Sequence, residues 1–277
     1  MKWDPVYEWL RGERMSADPR GFDGKVAVVT GGTQGVGENV ARQLAERGAA
    51  GVVITGRNEE RGAEVSEALR ELGTKPLFVS TDLGDANAPS KIIEAADEEF
   101  GRVDVLANCA ANAERDTIWD STPKFFDRMF AVNARAPYFL IQGAVKIMRR
   151  ENIQGTIANV ISMSSHGGQP YISAYCASKG ALATMTRNLA HALLPYRIRV
   201  NGLNPGWMAT PGENETQRRF HGATDDWLEE ASATRPFGRL IDPQEAARAV
   251  VFLLSEESGL MTGAIVDYDQ QIIGTYD

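Results

Sequence analysis

Short apolar runs alternate along the chain with longer stretches in which apolar residues recur at helical spacing. The runs are rich in β-branched residues, as buried strands are, whereas Val36, Val40 and Leu44 have the spacing of an amphipathic helix. The seven predicted strands lie at about residues 25–30, 51–55, 75–81, 103–107, 155–161, 197–203 and 264–266. Strict alternation of strands and helices predicts an α/β domain with a parallel sheet, right-handed crossovers and helices on both faces. The length of 277 residues fits one such domain.

A glycine-rich turn follows the first predicted strand. The segment Gly31-Gly32-Thr33-Gln34-Gly35-Val36-Gly37 leads directly into the helix that carries Val40 and Leu44. Glycines allow the backbone to approach a pyrophosphate, and the N-terminus of a helix offers free N–H groups and a positive dipole end. The segment lacks the Gly-Lys-Ser/Thr end of a P-loop. Strand, turn and helix together indicate nucleotide binding, although a simple tight turn remains an alternative.

Tyr175 and Lys179 stand four positions apart in a predicted helix, so their side chains share one face. A phenol alone has a pKa of about 10, and a nearby ammonium group favours the phenolate and lowers that pKa. Such a pair can move a proton to or from an alcohol oxygen. The alternative is a half-exposed helix that carries the two residues by chance.

Composition and charge argue against several other classes of protein. A net charge of −8 disfavours nucleic acid or an anionic membrane surface as the main partner. Cys109 and Cys176 form neither a disulfide framework nor a metal-binding pattern. No apolar run reaches the roughly 18 residues of a membrane span. We therefore expect a cytoplasmic protein without a metal site, with residues 1–22 as an N-terminal arm before a single domain at 23–277.

Seven short motifs follow one another in an order and at intervals that resemble the short-chain dehydrogenase/reductase family over about residues 24–268. The motifs are Thr30-Gly31-x-x-x-Gly35-x-Gly37, Asp82-Leu83, Asn108-x-Ala110, Asn133, Ser162, Tyr175-x-x-x-Lys179 and Asn201-x-x-x-Pro205-Gly206. The resemblance implies a single-domain Rossmann fold with a doubly wound, seven-stranded parallel sheet. It also implies a nicotinamide cofactor and reversible carbonyl–alcohol chemistry.

The resemblance assigns roles to individual residues. Tyr175 would be the acid/base at the substrate oxygen, and Lys179 would bind the nicotinamide ribose and depress the pKa of Tyr175. Ser162 would hydrogen-bond the substrate oxygen, with Ser164 and Ser165 as rivals, and Asn133 would position a water for proton relay. The cofactor would contact Gly31, Thr33, Gln34, Gly35, Val36, Gly37, Arg57, Asn58, Asp82, Leu83, Asn108, Ala110, Tyr175, Lys179, Pro205, Gly206 and Met208.

The end of the second predicted strand bears on the form of the cofactor. An acidic residue at this position selects NAD by binding the adenosine ribose hydroxyls. Here Gly56 leaves room for a 2'-phosphate, and Arg57 offers a fork of donors that suits phosphate oxygens. Thr33 and Asn58 could add neutral hydrogen bonds. We therefore predict NADP(H) rather than NAD(H), unless Arg57 lies over the adenine or in solvent.

The substrate is the least determined part of the prediction. Specificity should lie in residues 207–238, which show little regular pattern, and in the loop from Ser164 to Ile172. Polar loop residues (Asn112, Glu114, His166 and Gln169) suggest a sugar or polyol, because polar groups left unpaired in a pocket are costly. A 3-oxoacyl thioester is the alternative substrate, and a nucleotide-binding regulator is the alternative to an enzyme. The resemblance and the apolar helix faces also predict a homotetramer or, failing that, a dimer.

Overall fold

One parallel sheet of seven strands forms the centre of the protein. The computed structural model describes residues 21–167 and 169–274, and the strands lie in the order β3-β2-β1-β4-β5-β6-β7. The strands are β1 (Val26–Thr30), β2 (Gly51–Gly56), β3 (Lys75–Ser80), β4 (Val105–Asn108), β5 (Thr156–Val160), β6 (Arg199–Pro205) and β7 (Ile265–Tyr268). All six strand pairs are parallel. The carboxyl ends of the strands therefore meet at one edge, and the strand order reverses between β1 and β4.

Nine α-helices connect or follow these strands in the described part of the chain. They are α1 (Gly35–Glu46), α2 (Glu59–Glu71), α3 (Ala88–Phe100), α4 (Pro123–Phe130), α5 (Ala136–Arg150), α6 (Ser173–Leu193), α7 (Pro211–His221), α8 (Trp227–Ala233) and α9 (Pro243–Leu254). None of the helices in the described ranges is long and apolar enough to span a membrane. The same ranges contain no cluster of three or more potential metal ligands.

Two hydrophobic cores lie on opposite faces of the sheet. On one face, α1 and α9 pack against the strands through side chains such as Leu44 and Val250. On the other face, α3 and α5 do so through Ile92 and Leu140. Because the central strands are covered on both faces, their sequences are continuous apolar runs and do not alternate. The predicted single-domain, doubly wound fold is confirmed.

Two segments differ from the sequence-based expectation. Phe22 was assigned to the N-terminal arm, but its side chain is fully buried in the core beside α1. The rest of the predicted arm, residues 1–20, lies outside the described residues. The segment at 207–238, expected to be irregular, contains helices α7 and α8.

The helices at 207–238, which we call the substrate segment, have a small core of their own. Trp227, Ala231 and Leu240 are buried there, and Trp207 packs against them. Thr210 caps α7 by accepting a hydrogen bond from the backbone N–H of Glu213, with a proline at the start of the helix. These are recognised helix-start signals, so the sequence does carry the information for α7.

Candidate active site

The glycine-rich turn between β1 and α1 has the backbone geometry of a phosphate cradle. Gly31 and Gly35 have φ values of 65° and 59°, in the region that favours glycine. A Cβ atom at Gly37 would lie 2.3 Å from the carbonyl oxygen of Gly31, so only glycine lets the helix begin this close to the turn. The side chain of Gln34, at the N-cap, bonds to no N–H group of the first turn of α1. These uncapped N–H groups fit a pyrophosphate.

The neighbouring end of β4 is held against this turn. Thr30 accepts hydrogen bonds from the backbone N–H groups of Cys109 and Ala110, at 3.1 and 3.2 Å from its Oγ1. Asn108 donates to Asn159 across the sheet, and its own Oδ1 is buried without a partner among the described residues. Ala111, the next residue of this loop, is exposed.

Two arginines stand after β2, where the sequence indicated one. Arg57 is exposed directly beyond Gly56, and Arg61 reaches from α2 to hydrogen-bond the side chain of Gln34 in the glycine-rich turn. Asn58 accepts the backbone N–H of Arg61 and so caps α2. Its side-chain oxygen is therefore already used, and its contact with the cofactor stays a prediction. Spacing alone did not reveal Arg61, since its position depends on how α2 packs.

Asp82, at the end of β3, is paired with an arginine that the sequence did not indicate. Nη2 of Arg128, on α4, lies 2.7 and 2.8 Å from the two carboxylate oxygens of Asp82. Burial alone would raise the pKa of Asp82, but the Gly84 N–H, Arg128 and the charge of Arg57 together lower it. Asp82 therefore stays ionised, and Arg57 lies near enough to influence it. Leu83, next in the chain, is buried in the second core.

Tyr175 and Lys179 lie on one face of α6, as the spacing predicted. The Lys179 side chain is 1% exposed, its Nζ donates to the backbone carbonyl of Val160 at 2.8 Å, and Nζ lies 5.7 Å from the centre of the Tyr175 ring. Burial lowers the pKa of Lys179 to about 8. The ammonium group is therefore close to its titration point at neutral pH.

The expectation that Lys179 lowers the pKa of Tyr175 is not met in this structure. Burial of the phenol dominates and raises its pKa to about 12, with hydrogen bonding to Ser162 and the charge of Arg115 acting in the opposite direction. The physical reason is that Lys179 is directed to Val160 and does not contact the phenol oxygen. Tyr175 is therefore protonated at neutral pH, and its burial makes the proton harder to release than that of a free phenol.

Ser162 follows β5 and is the serine that interacts with Tyr175. Its Oγ also accepts the backbone N–H of Ser164 at 3.1 Å. The hydroxyl groups of the two rivals are directed elsewhere: Ser164 bonds Gln169 at 2.5 Å, and Ser165 bonds Asn204 at 3.4 Å. The geometry therefore favours Ser162 over Ser164 and Ser165 as the serine that would hydrogen-bond the substrate oxygen.

Asn133 lies in a single π-helical turn, Ala131–Arg135, that separates α4 from α5. Such turns are rare and are often found at functional sites. The Asn133 side chain is fully buried; it accepts the Asn112 N–H and donates to the Asn112 carbonyl, both at 2.8 Å, and to Ser178 at 3.0 Å. Its amide thus positions the loop after β4 against α6, and its role in holding a water stays a prediction.

The end of β6 completes the edge. Pro205 is buried, and the N–H of Gly206 bonds the carbonyl of Tyr268 at 3.0 Å. A Cβ at Gly206 would lie 2.0 Å from a carboxylate oxygen of Asp269. Met208 pairs with Ile241 in an isolated bridge. These residues lie at the same edge as the glycine-rich turn.

The four polar loop residues that suggested a sugar or polyol are bonded to the protein. Asn112 and Glu114 bond each other, and Glu114 also pairs with Arg219 of α7. His166 lies 3.1 Å from Asp267, and Gln169 accepts the Ser164 hydroxyl. Because these groups already have hydrogen-bond or ionic partners in the protein, they no longer support the prediction of a sugar or polyol substrate.

A parallel sheet with a glycine cradle at its switch point, and a tyrosine, lysine and serine at the same edge, defines a class of enzyme: the NAD(P)-dependent dehydrogenases and reductases. A family model described as enoyl-(acyl carrier protein) reductase matches residues 31–270. The chain belongs to the short-chain dehydrogenase/reductase family.

Comparisons with individual proteins agree with this assignment. An uncharacterised oxidoreductase of Thermotoga maritima is 36% identical over 89% of this chain and 95% of its own length. The structure of L-sorbose reductase from Gluconobacter frateurii, in complex with NADPH and L-sorbose, has a TM-score of 0.87 at 28% identity, covering 93% of this chain and 100% of the other. An NAD⁺-bound xylitol dehydrogenase has a TM-score of 0.82 at 27% identity, covering 90% of this chain and 99% of the other. The protein is thus similar to sugar and polyol oxidoreductases.

Proposed function

We propose that this protein interconverts a carbonyl compound and a secondary alcohol, with Tyr175 as the proton-transferring residue. The observation that carries the proposal is the placement of the Tyr175 phenol, which interacts with Ser162 and shares one face of α6 with Lys179. The nicotinamide, when bound, supplies or accepts the hydride. In reduction, Tyr175 gives its proton to the carbonyl oxygen while the Ser162 hydroxyl hydrogen-bonds the same oxygen. Lys179 would bind the nicotinamide ribose, and the phenolate that results regains its proton from water.

The cofactor form we propose is NADP(H). Gly56 places no carboxylate at the end of β2, and Arg57 is exposed beside it, with Arg61 one helical turn further on. The NADPH complex of the similar L-sorbose reductase supports the proposal, whereas the NAD⁺-bound xylitol dehydrogenase is a counterexample. The residues that would hold the adenosine 2'-phosphate are Arg57 and, in second place, Thr33.

The cofactor test replaces Arg57 and leaves Gly56 in place. A side chain at Gly56 is unsuitable, because its Cβ would lie 2.6 Å from Oγ1 of Thr33. We expect Arg57→Ala to lower kcat/KM for NADPH by about 10- to 100-fold, the scale of hydrogen bonds to a charged group, and to change NADH much less. The matched control is Arg70→Ala, an exposed arginine in the last turn of α2. A wild-type enzyme that prefers NADH would contradict the proposal.

The remaining alternatives for the function differ in the class of substrate. We propose a sugar or polyol, and a 3-oxoacyl thioester is the second candidate. The matching family model, described as enoyl-(acyl carrier protein) reductase, shares with that candidate only the carrier-bound acyl group. A panel of ketoses, polyols and acetoacetyl thioesters, followed by NADPH absorbance in both directions, ranks the two. No turnover with any member, despite cofactor binding, would favour a nucleotide-binding regulator.

We also propose a homotetramer. Exposed aromatic side chains on α4 and α5, namely Phe126, Tyr138 and Phe139, support an interface on these helices. Light scattering at micromolar concentration tests this, and a monomer of 30.2 kDa would contradict it. A cytoplasmic location stays a prediction from the sequence.

A further inference from the structure

A charged pair joins the loop after β4 to the substrate segment on the side of Tyr175. Arg115 lies in that loop and Glu213 on α7, and their side chains are 15% and 16% exposed. An isolated bridge between Asp116 and Ile172 brings the loop beside the start of α6, three residues before Tyr175. This pair was not among the residues that the sequence indicated.

The two side chains are oriented by neutral neighbours. Arg115 donates from Nη1 to the carbonyl of Ala113 at 2.8 Å and from Nε to His221 at 3.3 Å. Glu213 accepts at Oε1 from Trp207 at 2.8 Å and from Gln217 at 2.6 Å. Both groups are thus held in place before any ligand arrives, as a recognition site requires.

The pair itself is open. Nη2 of Arg115 lies 3.7 Å from Oε1 of Glu213, which is longer than a hydrogen bond. Both hydrogen bonds that Glu213 accepts from its neighbours end on Oε1, so Oε2 can accept another. Nη2 of Arg115 and Oε2 of Glu213 thus have no hydrogen-bond partner among the described residues, in a largely buried setting.

Both charges act on the reacting tyrosine. Arg115 lowers the pKa of Tyr175 and Glu213 raises it. The bridge between Asp116 and Ile172 and the position of Arg115 beside the Tyr171 ring place the pair at the start of α6, close to Tyr175 in the chain.

We propose that Arg115 and Glu213 are specificity-determining residues that bind a substrate hydroxyl group close to the reacting carbonyl. This inference rests on the proposed carbonyl–alcohol chemistry. A hydroxyl group is both donor and acceptor, so it can donate to Glu213 and accept from Arg115 at once. The rings of Tyr171, 5.9 Å from the guanidinium carbon of Arg115, and Trp207 add flat surfaces beside the pair.

The charge of the pair narrows the substrate class. A carboxylate or phosphate would meet Glu213, and an amine would meet Arg115, so each would face one repulsive partner. A neutral, polyhydroxylated substrate satisfies both groups. A simple ketone would leave Nη2 of Arg115 and Oε2 of Glu213 without a hydrogen-bond partner in a site where that is costly.

The test compares two ketones of the same chain length, a ketohexose and 2-hexanone, as substrates for NADPH-dependent reduction. The variants are Arg115→Met and Glu213→Gln, with Glu215→Gln, an exposed residue of α7, as the matched control. We expect the ratio of kcat/KM for ketohexose to that for 2-hexanone to fall about 10- to 100-fold in each variant, the scale of hydrogen bonds to charged groups. The control should keep the wild-type ratio.

Other outcomes distinguish this inference from the proposed function. Equal loss on both ketones would overturn it, because a residue that only fastens α7 to the loop would affect every substrate alike. A wild-type enzyme that reduces 2-hexanone but no ketohexose would also overturn it and leave the proposed chemistry intact. If neither ketone nor any other carbonyl compound is reduced, the proposed function fails and the inference with it. Thermal unfolding and NADPH affinity of each variant identify misfolding, and Glu213→Gln, which keeps the shape of the side chain, serves if Arg115→Met does not fold.

Discussion

The proposed cofactor side and the proposed substrate side of this site are built in different ways. On the cofactor side, the backbone of Gly31–Gly37 forms the cradle, and the residues that shape it are close neighbours in the sequence. On the substrate side, Arg115 contacts His221, which lies 106 positions further along the chain. A binding site formed by the backbone can be recognised in the sequence by glycines at fixed spacing. A site formed by side chains that are far apart in the chain has no such local sequence pattern.

The strongest disturbance is expected where the two sides meet, at Tyr175. Replacing it with phenylalanine removes the transferable proton but keeps the ring, so turnover should fall by roughly 10² to 10⁴ while NADPH affinity stays unchanged. Steady-state rates and cofactor titration measure the two effects. Tyr196→Phe is the control, because Tyr196 is an exposed tyrosine beyond the end of α6. Near-wild-type turnover in Tyr175→Phe would show that another group transfers the proton.

A change confined to the cofactor side should affect binding and folding together. In Gly37→Ala the new methyl group would meet backbone at Gly31, which cannot rotate aside, so we expect a destabilisation of about 1–3 kcal/mol and weaker NADPH binding. Calorimetric titration and thermal unfolding measure both.

Gly212→Ala is the matched control on the substrate side. Its Cβ would lie 3.6 Å from Nε2 of Gln34, an ordinary contact, and Gly212 is within helix α7. Here stability should be unchanged or higher by about 0.5–1 kcal/mol, because alanine is the better helix former. Wild-type stability and affinity in Gly37→Ala would mean that the turn is looser than described.

A smaller effect, on stability, follows from the burial of Lys179. The unfolded chain keeps this lysine protonated up to about pH 10.5, whereas the folded protein does so only up to about pH 8. Below pH 8 the buried charge therefore costs stability, on the order of 3 kcal/mol, and the cost disappears as the pH rises from 8 to 10.5. A Lys179→Met variant avoids the cost of the buried charge and is stabilised by that amount. It also loses the hydrogen bond to Val160, which offsets about 1 kcal/mol of the gain in stability.

Lys179→Met should thus be inactive but more stable than wild type at pH 7. Urea unfolding at pH 7 and pH 9.5 tests this, and the difference between variant and wild type should shrink at the higher pH. Lys146→Met, at an exposed position on α5, should change neither value. A Lys179→Met variant that is less stable at pH 7 would mean that the buried ammonium is compensated by the fold.

The sheet, its helices and the glycine-rich turn could be predicted because each depends on local periodicity and on residues with unusual backbone freedom. For Tyr175 and Lys179, the sequence predicted the shared helix face but not the pKa values. Spacing placed both residues on one face, but burial of the phenol and the bond from Lys179 to Val160 decide the pKa values. The partner of Asp82, Arg128, lies 46 positions away, and no local signal connects them.

The most direct test of the account is to follow the hydride. NADPH deuterated at C4 of the nicotinamide is incubated with the enzyme and the best ketone of the panel, and the alcohol is analysed by mass spectrometry. We predict one deuterium at the carbinol carbon from one face of the nicotinamide, with the hydroxyl proton drawn from water through Tyr175. Unlabelled alcohol from NADPH deuterated on either face, or no oxidation of NADPH or NADH with any carbonyl compound, would contradict the claim that this protein is a carbonyl–alcohol oxidoreductase.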